Sequence, residues 1–226
     1  MYDGVAEVIF VPRNKYPEET VKKILDVSLK LFLEKGYEQT TVLDIVDNLG
    51  GLTRGAFYHH FKSKEEVLTA IFENEYAECN PFVKAKQMNA ANGLERLKLA
   101  LKLGLNNNIE NEQRKAMTSM AHSLMSNPRF LAEHIKGIQQ DSKDLALIME
   151  EGMADGSLKQ GNAKVLAELF MLLSNVWMLP GIFPADEDEM ILKLTMLEEI
   201  FVALGYNFIE DEMGHTFFEI LDTLEV

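Results

Sequence analysis

From Pro17 onward the apolar residues recur at three- and four-residue intervals, which commits the chain to helices that each bury one face. Val21, Ile24, Leu25, Ser28, Leu31 and Phe32 make the first stripe, and Gly36 predicts its C-terminal end. Val42, Ile45, Val46 and Leu49 make a second, with Thr40 or Thr41 as its cap and Gly50-Gly51 as its stop. Thr53 caps a third short helix running from Arg54, in which Phe57 and Phe61 share a face and Arg54, Tyr58 and His59 lie on others. Ser63-Lys64-Glu65-Glu66 has the order of a capping box and opens a fourth helix that buries Val67, Leu68, Ile71 and Phe72.

The remainder keeps the same period. It predicts helices over Leu94 to Leu105, Ala116 to Met125, Phe130 to Met149, Val165 to Leu179 and Met190 to Leu204, and an amphipathic piece near Phe217 to Leu224. Asn127-Pro128 supplies a cap and a first-turn proline, Gly152 to Gly156 reads as a turn, and Pro180-Gly181 with Pro184 divides the last two long helices. The expected class is all-α: a three-helix head over 17–64, then a larger helical domain over 65–226. Residues 1–16 form an N-terminal arm without assigned function, since AlaGluValIlePheVal fits a strand, an arm or disorder equally.

At 226 residues and 47% hydrophobic content the chain can bury one good core or two small ones. Stretches such as Val165 to Leu179 are interrupted by Glu168, Ser174 and Asn175, so no membrane span is expected. The lone cysteine, Cys79, forms neither an internal disulfide nor a cysteine zinc site, and the N-terminus places acids where an export signal wants bases. The expected compartment is the cytoplasm.

Charge is unevenly distributed. Residues 1–64 hold nine basic and nine acidic side chains, so the net charge of −14 falls on residues 65–226. Within the neutral part, Leu52 to Lys64 carries three positive side chains, two histidines and no acid. A local cationic patch suffices for phosphate, because charges beyond about 8 Å are largely screened at physiological salt. Two short helices joined by a glycine turn, the second opening with hydroxyl and basic residues, form a helix-turn-helix, whose second helix enters the major groove. Arg54 has the fork to grip guanine with two bonds, and Gly55 and Ala56 let the backbone approach DNA. Thr53, Tyr58 and Lys64 suit phosphates, with His59 and His60 on the same surface. The competing reading is a helical hairpin packed by Phe57, Tyr58 and Phe61 with ordinary surface charges.

The run TTVLDIVDNLGGLTRGAFYHHFKSKEEVL, preceded by LeuPheLeuGluLysGlyTyrGluGlnThrThr, is more specific than a helix-turn-helix pattern alone. It resembles the DNA-binding domain of the tetracycline-repressor (TetR) family of bacterial transcription regulators, and the resemblance covers residues 20–76. It departs in the turn, where Gly50-Gly51 adds one residue to the family's usual single glycine. The resemblance implies DNA contacts at Thr41, Thr53, Arg54, Gly55, Ala56, Tyr58, His59 and Lys64. It also implies a homodimer that binds a palindromic double-stranded operator, most often as a repressor, and a ligand pocket in each larger domain.

For that pocket the sequence offers Met117, Met120, His122, Met149, Phe170 and Trp177, since methionine-rich surfaces adapt to apolar or aromatic effectors. At helical spacing most of these methionines read first as core, and His122 reads either as a polar anchor or as an ordinary histidine. The helices over Val165 to Leu179 and Met190 to Leu204 are too apolar for a monomer's surface and occupy the place where the family pairs two helices across a two-fold; one larger monomer core is the alternative. No metal-ligand spacing, nucleophile motif or phosphate loop is present, so no enzyme, cofactor or metal is expected. A helical adaptor acting through protein partners is the competing function.

Overall fold

A computed structural model describes residues 17–223, with all their side chains except those of Pro17, 75–79, 211–212 and 221–223. The arm over 1–16, the side chain of Cys79 and the end of the last helix at Leu224 lie outside the described residues. The chain divides into two compact units, one up to Ile71 and one from Phe72 onward.

In the first unit α1 spans Pro17–Lys35, α2 Val42–Asn48 and α3 Arg54–His60, and α4 begins at Lys64. Ile24, Ser28 and Phe32 turn inward from α1, as their spacing requires. Gly36 ends the helix in the left-handed region at φ 90°, where a side chain would be strained. The two candidate caps of α2 separate: Thr41 caps it, while the buried Thr40 donates its hydroxyl to the Gly36 carbonyl at 2.8 Å. Ile45, Val46, Leu49, Phe57, Phe61, Val67, Leu68 and Ile71 complete the core. The capping box at Ser63 forms in altered shape. Ser63 Oγ accepts from Glu66 N at 3.3 Å, but the Glu66 carboxylate passes the cap and accepts from Lys62 N at 2.6 Å, satisfying a donor one residue earlier.

The second unit takes the rest of α4, which runs to Cys79, then α5 (Pro81–Gln87), α6 (Gly93–Asn107), α7 (Glu112–Ser123), a 3₁₀ turn (Leu124–Ser126), α8 (Pro128–Asp155), α9 (Ala163–Leu172), α10 (Glu187–Leu204) and α11 (Asp211–Thr223). The periodicity missed α5, seven residues fixed by Asn80 Oδ1 accepting from Phe82 N and Val83 N, both at 3.0 Å. Its core holds Phe170, Phe201 and Phe208 in mutual ring contact at 5.2–5.5 Å, with Leu97, Leu145, Ile148 and Met149.

Two readings of the sequence are corrected here. Gly152 is not in a turn: α8 continues through it to Asp155, and Gly156, at φ 81°, makes the stop. Gly152 is helical because it packs on Gly93 at the start of α6, where a Cβ on Gly93 would fall 2.2 Å from Gly152 N. The helix over Val165 to Leu179 is likewise not uniform. After Leu172 it widens into a π-helical turn, Leu173–Trp177, where Ser174 Oγ donates to the Phe170 carbonyl at 2.7 Å and the His134 ring meets the Asn175 carbonyl at 2.9 Å.

Candidate nucleic-acid interface

The α2–α3 pair forms the helix-turn-helix. Its turn needs glycine twice, since Gly50 sits at φ 60° and Gly51 at φ 101°. Thr53 then caps α3 by accepting from Ala56 N at 3.2 Å. The buried Phe57 anchors α3 from below, its ring 6.3 Å from Phe61 and edge-on to Tyr58 at 5.5 Å. Pinning that face leaves Thr53, Arg54, Gly55, Tyr58 and His59 exposed on the other, with Ala56 half-buried between them. The Arg54 guanidinium carbon lies 5.6 Å from the centre of the Tyr58 ring, so the fork is held beside an aromatic face. His59 lies edge-on to His60 at 5.2 Å.

Thr41 is exposed, but its hydroxyl is occupied. It donates to Asp44 Oδ2 at 2.6 Å and accepts from Asp44 N at 3.1 Å, and Lys35 meets the same carboxylate at 2.9 Å. The Thr41 hydroxyl first, and then Lys35, hold the Asp44 carboxyl far below the usual carboxylate range. A carboxyl lowered by folding stabilises the fold above its ordinary value and loses that contribution as pH falls toward the lowered one. Asp44→Asn is therefore expected to lower the melting temperature at pH 7 and to converge on the native protein as the pH falls from 5 toward 2, which calorimetry across that range checks.

Lys64 stands apart from the other seven residues. Its ammonium donates to the Tyr37 carbonyl at 2.8 Å and the Glu38 carbonyl at 3.3 Å and lies 4.3 Å from the Tyr37 ring centre. It straps the start of α4 to the loop after α1, a non-local contact that spacing could not foretell. Two exposed lysines add charge to the head that the residue pattern did not single out as contacts: Lys62 just after α3, and Lys23, whose Nζ lies 3.6 Å from where a Gly50 Cβ would be.

The six residues offered for an effector pocket do not form one group. Met149 and Phe170 sit in the main core of the second unit, the reading their helical spacing favoured. Met117 is buried on α7, with Met120 and His122 half-buried further along it. Trp177 packs with Met178 and Met190, the Lys193 ammonium 5.8 Å from its ring centre. Among the described residues no group of three or more His, Cys, Asp or Glu is placed to hold a metal, and no helix is long and apolar enough to cross a membrane.

Residues 24–71 match the family model described as bacterial regulatory proteins, tetR family. Over 56 residues, 25% of this chain and 26% of the other, the sequence is 43% identical to the HTH-type transcriptional regulator AcrR of Shigella flexneri. Over 49 residues, 22% and 24% of the two chains, it is 45% identical to the HTH-type transcriptional repressor KstR2 of Rhodococcus jostii. These matches span about a quarter of each relative's length, and both relatives are regulators rather than enzymes. The likeness in fold runs further. A TetR-family transcriptional regulator from Syntrophomonas wolfei superposes with a TM-score of 0.60 over 81% of this chain and 95% of that one, at 21% identity. One from Pectobacterium atrosepticum gives 0.59 over 88% and 98%, at 19% identity. The all-α fold is that of these regulators, and residues 24–71, which hold the helix-turn-helix, match the tetR-family model.

Proposed function

We propose that this protein is a ligand-responsive transcriptional repressor of the bacterial cytoplasm, which binds a palindromic operator as a homodimer and leaves it when a small apolar or aromatic effector binds the second unit. The observation that carries the reading is the exposed Arg54–Tyr58 pair on α3, held outward by the buried Phe57. Arg54 reads guanine, Gly55 and Ala56 admit the backbone to the groove, and Thr53, Tyr58 and His59 position the head on phosphates. Thr41 and Lys64 support the head through their bonds to Asp44 and to the loop after α1, and reach phosphates only by exchanging those bonds.

Dimerisation is supported by apolar side chains left in solvent on the two helices nominated for it: Val165 and Leu172 on α9, and Ile191, Leu192, Met196 and Val202 on α10. Leu192 is 68% exposed, a costly placement for leucine unless a partner covers it. Leu192→Glu with Met196→Glu is expected to convert the dimer to a folded monomer, read by sedimentation velocity beside circular dichroism. Unchanged sedimentation would place the dimer contact elsewhere.

The test of function is fluorescence anisotropy on the DNA upstream of the protein's own coding region, at two salt concentrations, with selection from random sequence if that DNA is not bound. Saturable binding that weakens with salt at a slope of about −0.9 per phosphate neutralised supports the operator reading. Failure in both experiments would favour the adaptor acting through protein partners.

A further inference from the structure

Among the described residues, two buried side-chain polar atoms lack a hydrogen-bond partner, Ser28 Oγ in the head and His122 Nε2 in the second unit. Serine hydroxyls are small and rotate, whereas an imidazole nitrogen is fixed by its ring, so a buried one without a partner calls for a reason. His122 lies in the last turn of α7, beside the buried Met125 of the following 3₁₀ turn. Over the ring passes the loop 178–186, and it does so at Gly181: a Cβ there would stand 3.2 Å from His122 Nε2, from the His122 carbonyl and from Met125 Cβ. The glycine thus faces Nε2 with no side chain, and Nε2 has no hydrogen-bond partner.

The loop is tethered from outside. Lys193 of α10 donates to the Trp177 carbonyl at 3.2 Å and the Phe183 carbonyl at 3.0 Å, holding the segment just before its start and again within it. At one end Met178 is buried with Met190 and packs against Trp177 and Phe217, so that end of the loop is apolar. We infer that His122 Nε2 is the polar anchor of the effector site, between the end of α7 and the 178–186 loop, and that the effector is an uncharged apolar molecule bearing one hydroxyl, a phenol or an alcohol. This rests on the effector reading proposed above and adds to it a place and a chemical class.

The class follows from the nitrogen. Burial pushes the imidazole below its ordinary value and so favours the neutral ring. A neutral ring nitrogen presents either an N–H or a lone pair according to tautomer, and a hydroxyl can answer both. A carboxylate or an ammonium would bring a charge beside a buried nitrogen, a cost that an uncharged ring does not offset. The flexible thioethers nearby suit an apolar body of varied shape.

The test is calorimetric titration of the full-length protein with matched pairs, 1-naphthol against naphthalene and 4-butylphenol against butylbenzene, together with NMR of histidine-ring nitrogen. The native protein is expected to bind each phenol about tenfold more tightly than its hydrocarbon, and the His122 Nε2 resonance to move with the phenol only. His122→Phe, which keeps a ring and loses the nitrogen, should bring the two members of each pair to equal affinity. Gly181→Ala, which leaves the imidazole intact and crowds it, should weaken the phenols as well. A phenol preference that survives in both variants overturns the anchor. A panel that includes charged compounds, scored for release of bound DNA, separates the two readings: release by charged compounds while the phenols fail to bind overturns the anchor alone, and release by none overturns the effector reading with it.

Discussion

Replacing Arg54 by Ala is expected to abolish operator recognition while leaving the head folded. The side chain is exposed and lies beside the Tyr58 ring, 5.6 Å from its centre, so its loss removes little packing. On the proposed reading the loss is a bidentate contact of about 1–3 kcal/mol to one guanine, and roughly double that for a dimer with two heads. Affinity for the selected operator should fall by about 30-fold to more than 1000-fold, while binding to unrelated DNA falls only by the share of one cation per head. Arg54→Lys separates charge from geometry: it keeps the cation, lacks the fork, and should recover the unspecific part alone. Competition anisotropy with specific and scrambled duplexes reads both. If Arg54→Ala retains its preference for the operator, another residue reads the bases.

The largest effect on stability is expected at Gly93. An alanine there would bring Cβ to 2.2 Å from Gly152 N and 2.3 Å from Gly152 Cα, positions occupied by backbone that no rotamer change can clear. α6 and α8 would have to separate, although Asp155 accepts from Gly93 N at 2.7 Å and Arg96 binds Glu151 at 3.0 Å at the same junction. Overpacking of this kind costs about 3 kcal/mol or more, against which the better helix propensity of alanine returns about 1 kcal/mol. The second unit should then melt several degrees lower, at roughly 2–4 °C per kcal/mol for a domain of this size. Gly137 in α8 is the control: a Cβ there meets nothing within 4 Å, so Gly137→Ala should be neutral or stabilising by up to about 1 kcal/mol. Equal melting of the native protein and Gly93→Ala would mean the helices do not approach as closely as described.

Much of the head was legible in the sequence because its determinants are local. The stripe from Ile24 to Phe32, the stop at Gly36, the cap at Thr53 and the outward set Arg54, Tyr58 and His59 each follow from residues within one or two turns of each other. The same locality explains why Thr40 and Thr41 could not be told apart: both are hydroxyl residues before an apolar helix, and only the carbonyls of Leu31 and Gly36, within reach of one of them, drew Thr40 inward.

Where the sequence reading fell short, the deciding partner was distant along the chain. That Lys64, a residue suited to phosphate, also ties two carbonyls 26 and 27 residues away is settled only when the loop after α1 folds back. Gly152 reads as a turn until Gly93, 59 positions earlier, is seen to need its missing side chain. Met149 and Phe170 fit a pocket or a core equally well as apolar residues at helical spacing, and only packing against Leu97, Phe201 and Phe208 made them core. Helical period, caps and turn glycines by themselves determined an all-α chain with a helix-turn-helix at its start, because those preferences are settled within a few residues. Which polar groups are spent inside the fold and which nitrogen stays unpaired was decided by tertiary structure alone, because burial and hydrogen bonding depend on what the rest of the chain brings alongside.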